Sequence, residues 1–369
     1  MQDFTLRNDT KLIFRADPVE DLARLMAGKT VLFVYGSGSV KQNGCYTDVT
    51  QAANQAGSAL VELNGASREL ADIEKGIQLV KNHNVDLILG AGGASVMDCS
   101  KLIAFGSRHE ADLWDYVKDK KDPYDQVRLP LVLMPTYPSS GSEYGLGAVA
   151  ADARTGDFGT AYGIPADVAV LTPKYSLSLD EEMTAYTGLV TLVQLCASTM
   201  SDRNPVSYDI GISVIKNVLK ATHTLAEDPS DLDARGVILY GASISTSSRL
   251  GLGKVDPYVY ELYEVEFLPE VLFGAPYRKS LTTVFPRFLK AMGKYHGDDV
   301  RGFLRDAFGY EETLEEGCKK LVKLFADMGV DMHFDGTVSK ELIRTIDIST
   351  SLSPEELTTM IQDCIRSEE

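Results

Sequence analysis

Three short stretches concentrate the residue types that hold anions: YGSGSVK (35–41), GAGGASVMDCSK (90–101) and PTYPSSGSE (135–143). Glycines let a backbone come close to a phosphate, and Ser37, Ser39 and Lys41 offer donors to it. The second stretch places small residues at a helix start, and Asp98 and Lys101, three apart, share a helix face. None of the three is a Walker A loop or a GxGxxG fingerprint. Each alone reads equally as a tight strand-to-helix turn; three at one sheet edge point to a nucleotide.

The elements that would position them can be read from the flanks. The runs TVLFVY (30–35), ALVEL (59–63), VDLILGA (85–91) and LPLVLMPT (129–136) alternate with helical patterns such as ADIEKGIQLVKNH (71–83). Alternation of this kind predicts βαβ units and a largely parallel sheet, with all-apolar strands covered on both faces. From about residue 180 long amphipathic segments replace the strands. The expected organisation is an α/β nucleotide-binding domain over 1–175 and an all-α domain over 176–369. The boundary falls near IPADVAVLTPKYSLSLD (164–180), where Pro165 and Pro173 punctuate the chain.

The chain has 369 residues and a formal net charge of −17. That acidic balance argues against nucleic acid or an anionic membrane as a partner. No apolar run approaches the roughly 18 residues of a membrane span, and no secretory signal opens the chain. Five cysteines are scattered without a CxxC pair, the pattern of reduced thiols in a cytoplasmic protein. Cys45 is read as an ordinary thiol rather than a reactive one. Of the five histidines, His83, His223 and His296 sit on polar stretches and are expected at the surface.

At these loops the chain resembles the iron-containing (group III) alcohol dehydrogenase family, and most of all its butanol-dehydrogenase-like branch. The family's glycine-serine loop is matched by YGSGSVKQNGCY, its GGGS-x-x-D-x-x-K loop by GGASVMDCSK with Ala94 for the third glycine, and its GSE loop by PTYPSSGSE. PADVAVLTPKYSLSL, LAEDPSDLDAR and SRLGLGKVDPYVY extend the likeness over nearly the whole chain. The resemblance implies the dehydroquinate-synthase-like fold, a nicotinamide dinucleotide as cofactor, a small-molecule substrate and a homodimer. It places Gly36, Ser37, Gly38 and Ser39 at the adenosine ribose and Gly92, Gly93, Ala94 and Ser95 at the pyrophosphate. Asp98 falls beside the nicotinamide end, and Thr136, Ser140 and Leu177 line the cleft. A family lysine falls on Phe158. The loop has Lys41 and no acid where an Asp would favour NAD, so NADP(H) is expected over NAD(H).

The resemblance also implies a divalent metal on one Asp and three His, and here the sequence departs from the family. The helix that carries the first two, four apart, reads TAYTGLVTLVQLC. The pair falls on Val190 and Gln194, or one residue on, Thr191 and Leu195. The third ligand falls on Tyr260, a further histidine position on Glu264, and the fourth ligand on Tyr277. Fe²⁺ and Zn²⁺ want imidazole or carboxylate donors, so no metal is expected. Tyr260 and Tyr277, with Glu264 and Lys254 tuning them, could replace the metal as hydrogen-bond donors to a developing alkoxide. The bland alternative is that the tyrosines fill a vacated pocket. The functional alternatives are a nucleotide-binding relative without turnover, regulatory or accessory, and a reaction that recycles its nicotinamide.

Overall fold

The computed structural model describes residues 3–109, 113–118, 121–254 and 256–366. Two compact units make up the chain. One consists of Leu6–Leu179 with Ala242–Ser248; the other takes the described residues within Met1–Thr5, Asp180–Gly241 and Arg249–Glu369.

The first unit is built on a six-stranded parallel sheet of β1 (Lys11–Phe14), β2 (Thr30–Tyr35), β3 (Ala59–Asn64), β4 (Leu87–Gly92), β5 (Leu131–Pro135) and β8 (Val168–Leu171), in the order β1-β8-β5-β4-β2-β3. A two-stranded antiparallel ribbon, β6 (Gly147–Asp152) with β7 (Asp157–Tyr162), stands apart from it. Successive strand residues point to opposite faces, and both faces are buried. Leu32 and Val34 pack with Leu102, Ile103 and Phe105 of the Ala94–Gly106 helix. Val31, Phe33 and Tyr35 pack on the other face with Leu22 and Met26 of the Val19–Met26 helix and Val49 and Ala52 of the Cys45–Ala56 helix.

Strand order reverses between β2 and β4. The chain leaves β2 for β3 on one side, then returns to β4 on the other, with Tyr35 opposite Ala91. Open α/β sheets bind ligands at the carboxyl ends of the strands at such a switch point.

The second unit is helical. Its central helix, Glu181–Thr199, starts on Asp180, whose carboxylate accepts from the Met183 N–H at 2.7 Å. Nearly every later residue of this helix is buried, as befits a helix apolar all round. The Pro205–Glu227 helix packs closely on it: a Cβ at Gly188 would lie 2.5 Å from Thr222 Oγ1, and one at Gly211 would lie 2.2 Å from Thr199 Oγ1. The Tyr277–Phe308 helix packs on it as well and breaks helical geometry at His296. That histidine is not a solvated surface group as expected. It is half-buried and stacked 3.9 Å over the Tyr258 ring. His83 and His223 are exposed, and Cys45 is buried, which pushes its thiol pKa up.

Candidate functional site

In the α/β unit, the loops after β2 and β4 lie side by side. A Cβ on Gly36 would come 3.5 Å from Val96 Cγ2, and one on Gly92 would come 2.9 Å from Val96 Cβ. Gly92 therefore has no room for a side chain. Gly93 caps the Ala94–Gly106 helix, and that helix leaves its first amides without intrahelical partners. Gly93, Ala94 and Ser95 are half-buried at this helix start. The Thr136 N–H donates to Gly92 O at 3.1 Å, while its buried hydroxyl has no partner. A side-chain-free cradle, a helix N-terminus and an orphaned hydroxyl together fit a phosphate-bearing ligand. Ser140 is half-buried, its hydroxyl accepting from the Ser142 N–H at 3.3 Å; Leu177 is an exposed apolar residue of the 3₁₀ turn Pro173–Ser178.

Ser37, Ser39 and Lys41 are exposed at the start of the loop after β2, and Gly36 and Gly38 are half-exposed. The Lys41 ammonium lies 5.5 Å from the Tyr35 ring centroid and 5.1 Å from that of Tyr46. Both phenols donate to Glu62, at 2.5 and 2.9 Å.

Asp98 and Lys101 are differently placed from the sequence reading. Lys101 is fully buried, and its ammonium donates to Gly145 O and Gly147 O, each at 2.8 Å. Burial lowers its pKa to about 8. It therefore ties the helix to the 145–147 segment and is not presented to a cofactor. Asp98 accepts from Ser142 Oγ at 2.6 Å and the Val149 N–H at 3.2 Å. Burial raises the pKa of its carboxyl despite Lys101 nearby. Glu143 of the GSE loop is buried too and accepts from Ser243 Oγ at 2.5 Å. Phe158 is an exposed residue of β7.

In the helical unit, two of the positions that the resemblance matches to metal ligands, Gln194 and Tyr277, lie near each other and neither offers an imidazole or a carboxylate. The Gln194 side chain bears on the Tyr277 hydroxyl, where the amide lowers the hydroxyl pKa while burial raises it more. The amide oxygen of Gln194 is buried and unpartnered. Of the two registers, it is the one with Gln194 that reaches Tyr277. Thr191 and Leu195 point to Gly241, where a Cβ would meet them at 3.5 and 3.8 Å.

Tyr260 and Tyr277 are not adjacent. Tyr263 lies near both, its ring 6.4 Å from that of Tyr260. A Cβ on Gly251 would lie 3.8 Å from the Tyr260 hydroxyl and 3.1 Å from Lys254 Cε. The Lys254 ammonium stands 5.0 Å from the Tyr260 ring. It donates to Ala197 O at 3.0 Å and to Met200 O, capping the end of the central helix. Burial brings its pKa down to about 8.

Glu264, read from the sequence as the tuning acid, is exposed. The buried acid is Glu266, 6% exposed, whose Oε2 has no partner. Burial first, then a hydrogen bond and like charge from Glu270, raises its pKa to about 9. Glu266, Tyr263 and Tyr137 (whose hydroxyl a Cβ on Gly93 would meet at 2.4 Å) were missed from the sequence. The signal for the first two was there: Tyr260, Tyr263 and Glu266 are spaced by three, and the segment begins as a 3₁₀ turn, Tyr258–Glu261, in which i and i+3 align.

This donor set does not fit Fe²⁺ or Zn²⁺. It offers an aliphatic chain, a carboxamide and two phenols, with no imidazole and no carboxylate among them. Among the described residues no three His, Cys, Asp or Glu gather to hold a metal.

The fold and the cradle at the switch point define an α/β dinucleotide-binding unit joined in one chain to a helical unit. Comparison with known proteins makes this specific. The model of the iron-containing alcohol dehydrogenase family matches residues 9–174. The chain is 30% identical over 364 residues to a probable NADH-dependent butanol dehydrogenase 1 of Bacillus subtilis, covering 94% of this chain and 92% of that one. It is 26% identical over 301 residues to the NADPH-dependent aldehyde reductase YqhD of Escherichia coli, covering 78% and 75%. The crystal structure of an NADH-dependent butanol dehydrogenase A from Thermotoga maritima shares the fold, with a TM-score of 0.86, 22% identity and 99% of each chain covered. The chain belongs to the iron-containing alcohol dehydrogenase family, whose members are NAD(P)-linked alcohol and aldehyde oxidoreductases. Among the described residues no helix is long and apolar enough to cross a membrane.

Proposed function

We propose that this protein interconverts an alcohol with an aldehyde or ketone, using NADP(H) and no divalent metal. The observation that carries the metal-independent reading is the chemistry at the matching positions, where Gln194 and Tyr277 bear on each other and neither is an imidazole or a carboxylate. Two positions where the family needs ligands offer a carbonyl oxygen neutral donors instead.

The bound nicotinamide supplies or accepts hydride. Gly92, Gly93, Ala94 and Ser95 hold the pyrophosphate at the helix start, and Thr136 offers its unpartnered hydroxyl. Lys41 and the absence of an acid in 36–41 favour a ribose 2′-phosphate; the neighbouring acid, Glu62, already accepts two phenol hydrogens. On the substrate side, hydrogen bonds from Tyr277 and Gln194 hold the reacting oxygen as negative charge develops on it. Lys254 caps a helix and bears on Tyr260 through its charge alone. Cytoplasmic residence and a homodimer complete the reading by analogy with the family.

The test is elemental mass spectrometry on protein exposed to iron and zinc and then desalted, alongside NADPH oxidation with a panel of aldehydes and ketones. Turnover with near-zero metal per chain supports the proposal. Stoichiometric metal required for turnover overturns the metal-independent reading. NADPH binding without turnover favours the accessory nucleotide-binding reading.

A further inference from the structure

The helical unit holds more unpartnered polar groups around the former ligand positions than the tyrosines explain. Gln194 Oε1 and Glu266 Oε2 are both buried without a hydrogen-bond partner, on residues only 7% and 6% exposed. Buried polar atoms are satisfied in the great majority of cases, so an orphan pair needs an explanation. Glu266 follows the short Leu262–Val265 helix and precedes the Phe267–Phe273 helix, and both of these pack on the Tyr277–Phe308 helix. Its carboxyl lies within electrostatic reach of Tyr277 and Tyr263 and is hydrogen-bonded to Glu270.

We infer that Glu266 is a further catalytic residue, the proton donor to the substrate oxygen at the place where Gln194 and Tyr277 meet. The inference rests on the oxidoreductase reading above. In the reductive direction hydride from the reduced nicotinamide forms the new C–H bond, and the carbonyl π pair moves onto oxygen. The Glu266 O–H bond breaks, its proton bonds to that oxygen, and its electron pair stays on the carboxylate. Half-buried Glu270, hydrogen-bonded to Glu266, returns a proton from solvent.

The surroundings suit an acid that stays protonated. The groups bearing on Glu266 are Glu270 and Glu264 from its own segment, both raising its pKa, with the neutral phenols of Tyr263 and Tyr277 beside it. The central helix contributes the uncharged Gln194 beside Tyr277. Tyr277 is a poorer proton donor, because a phenol is ordinarily a far weaker acid than a carboxyl.

The test is steady-state reduction by Glu266→Gln and Glu266→Asp, with NADPH affinity measured by fluorescence. Glutamine keeps the size and can still donate a hydrogen bond, but it cannot give up a proton. We expect Glu266→Gln to lose about 100-fold in kcat, the usual scale of general acid catalysis, with KM little changed and NADPH affinity unchanged. Glu266→Asp should recover part of the rate. If the wild type turns over and Glu266→Gln keeps its kcat, this inference alone is overturned. If the wild type binds NADPH and reduces nothing, the oxidoreductase reading falls with it. If Glu266→Gln loses NADPH affinity too, the loss is one of folding; Glu266→Asp then decides, a rate no better than that of Glu266→Gln in a folded protein overturning the inference.

Discussion

The Gln194 side chain of the central helix bears on the Tyr277 hydroxyl at the start of the Tyr277–Phe308 helix. The resemblance places a metal site at these two positions; here a carboxamide and a phenol stand there. The Gln194 amide N–H groups and the Tyr277 hydroxyl are donors, whereas the unpartnered Gln194 Oε1 can only accept. The pair can therefore bind a polar oxygen and remain folded without one. Tyr277→Phe removes the donor while keeping the ring. We expect kcat to fall at least tenfold, in line with loss of one donor to a developing oxyanion, with the fold intact by circular dichroism. Unchanged turnover would assign Tyr277 to filling space.

The cradle makes a sharper geometric prediction. A methyl group on Gly92 would lie 2.9 Å from Val96 Cβ, which is fixed to the helix backbone. Around Gly38 nothing lies within 4 Å of such a group. Gly92→Ala should destabilise the protein by about 1–3 kcal/mol, the range for overpacking a tight site, and weaken NADPH binding at least tenfold. Gly38→Ala should leave stability within about 0.5 kcal/mol, as for a surface change. Calorimetry and cofactor titration on both variants check the contrast; equal effects would mean that the two loops are not packed as described.

The proposed preference for NADP(H) assigns cofactor choice to Lys41. Its ammonium is exposed beside the Tyr35 and Tyr46 rings, and the loop carries no acid. Lys41→Ala should raise KM for NADPH about tenfold and leave KM for NADH nearly unchanged, since one charge-assisted hydrogen bond contributes roughly 1.5–3 kcal/mol. Parallel kinetics with the two cofactors decide this. A variant that loses both equally would place Lys41 on a part that they share.

Much of this was legible in the sequence, and the failures have physical causes. β2, β3, β4 and β5 were read because their apolar runs are continuous. β1 (KLIF) and β8 (VAVL) have four residues each, too few to separate from a connection by pattern alone. Residues 242–248 were assigned to the helical half. They pack in the α/β unit because Gly141, at φ +67°, brings its loop against Ala242 O and Thr246, with no room for a Cβ. Lys101 looked like a ligand from its spacing with Asp98; spacing does not reveal that the 145–147 carbonyls cover it. Glu264 was chosen by counting one α-helical turn from Tyr260, but the chain there starts as a 3₁₀ turn, and the buried acid is two residues further on.

That loop contact is itself testable. Gly141→Ala adds a methyl group 2.2 Å from Ala242 O, at a backbone conformation that L-residues rarely adopt. Strain of both kinds should cost about 2–4 kcal/mol and lower Tm markedly. A variant as stable as the wild type would show that the 242–248 segment does not sit against this loop.

Glu266 gives the chain a pH-dependent stability with a fixed sign. Its folded pKa, about 9, lies above the ordinary glutamate value of 4.5. Between these values the folded state holds a proton that the unfolded state has released. Stability must therefore fall as pH rises across that window. The effect ends above about pH 9, where both states are ionised. Glu266→Gln removes the titration and keeps the shape. Relative to the wild type it should be more stable at pH 8–9 than at pH 5, by a margin on the order of a few kcal/mol, since each unit of pKa shift corresponds to about 1.4 kcal/mol. Denaturant unfolding of both proteins across pH 5–9 measures the margin directly. A constant difference between them would mean that Glu266 is ionised in the folded protein, and its role as proton donor would go with it.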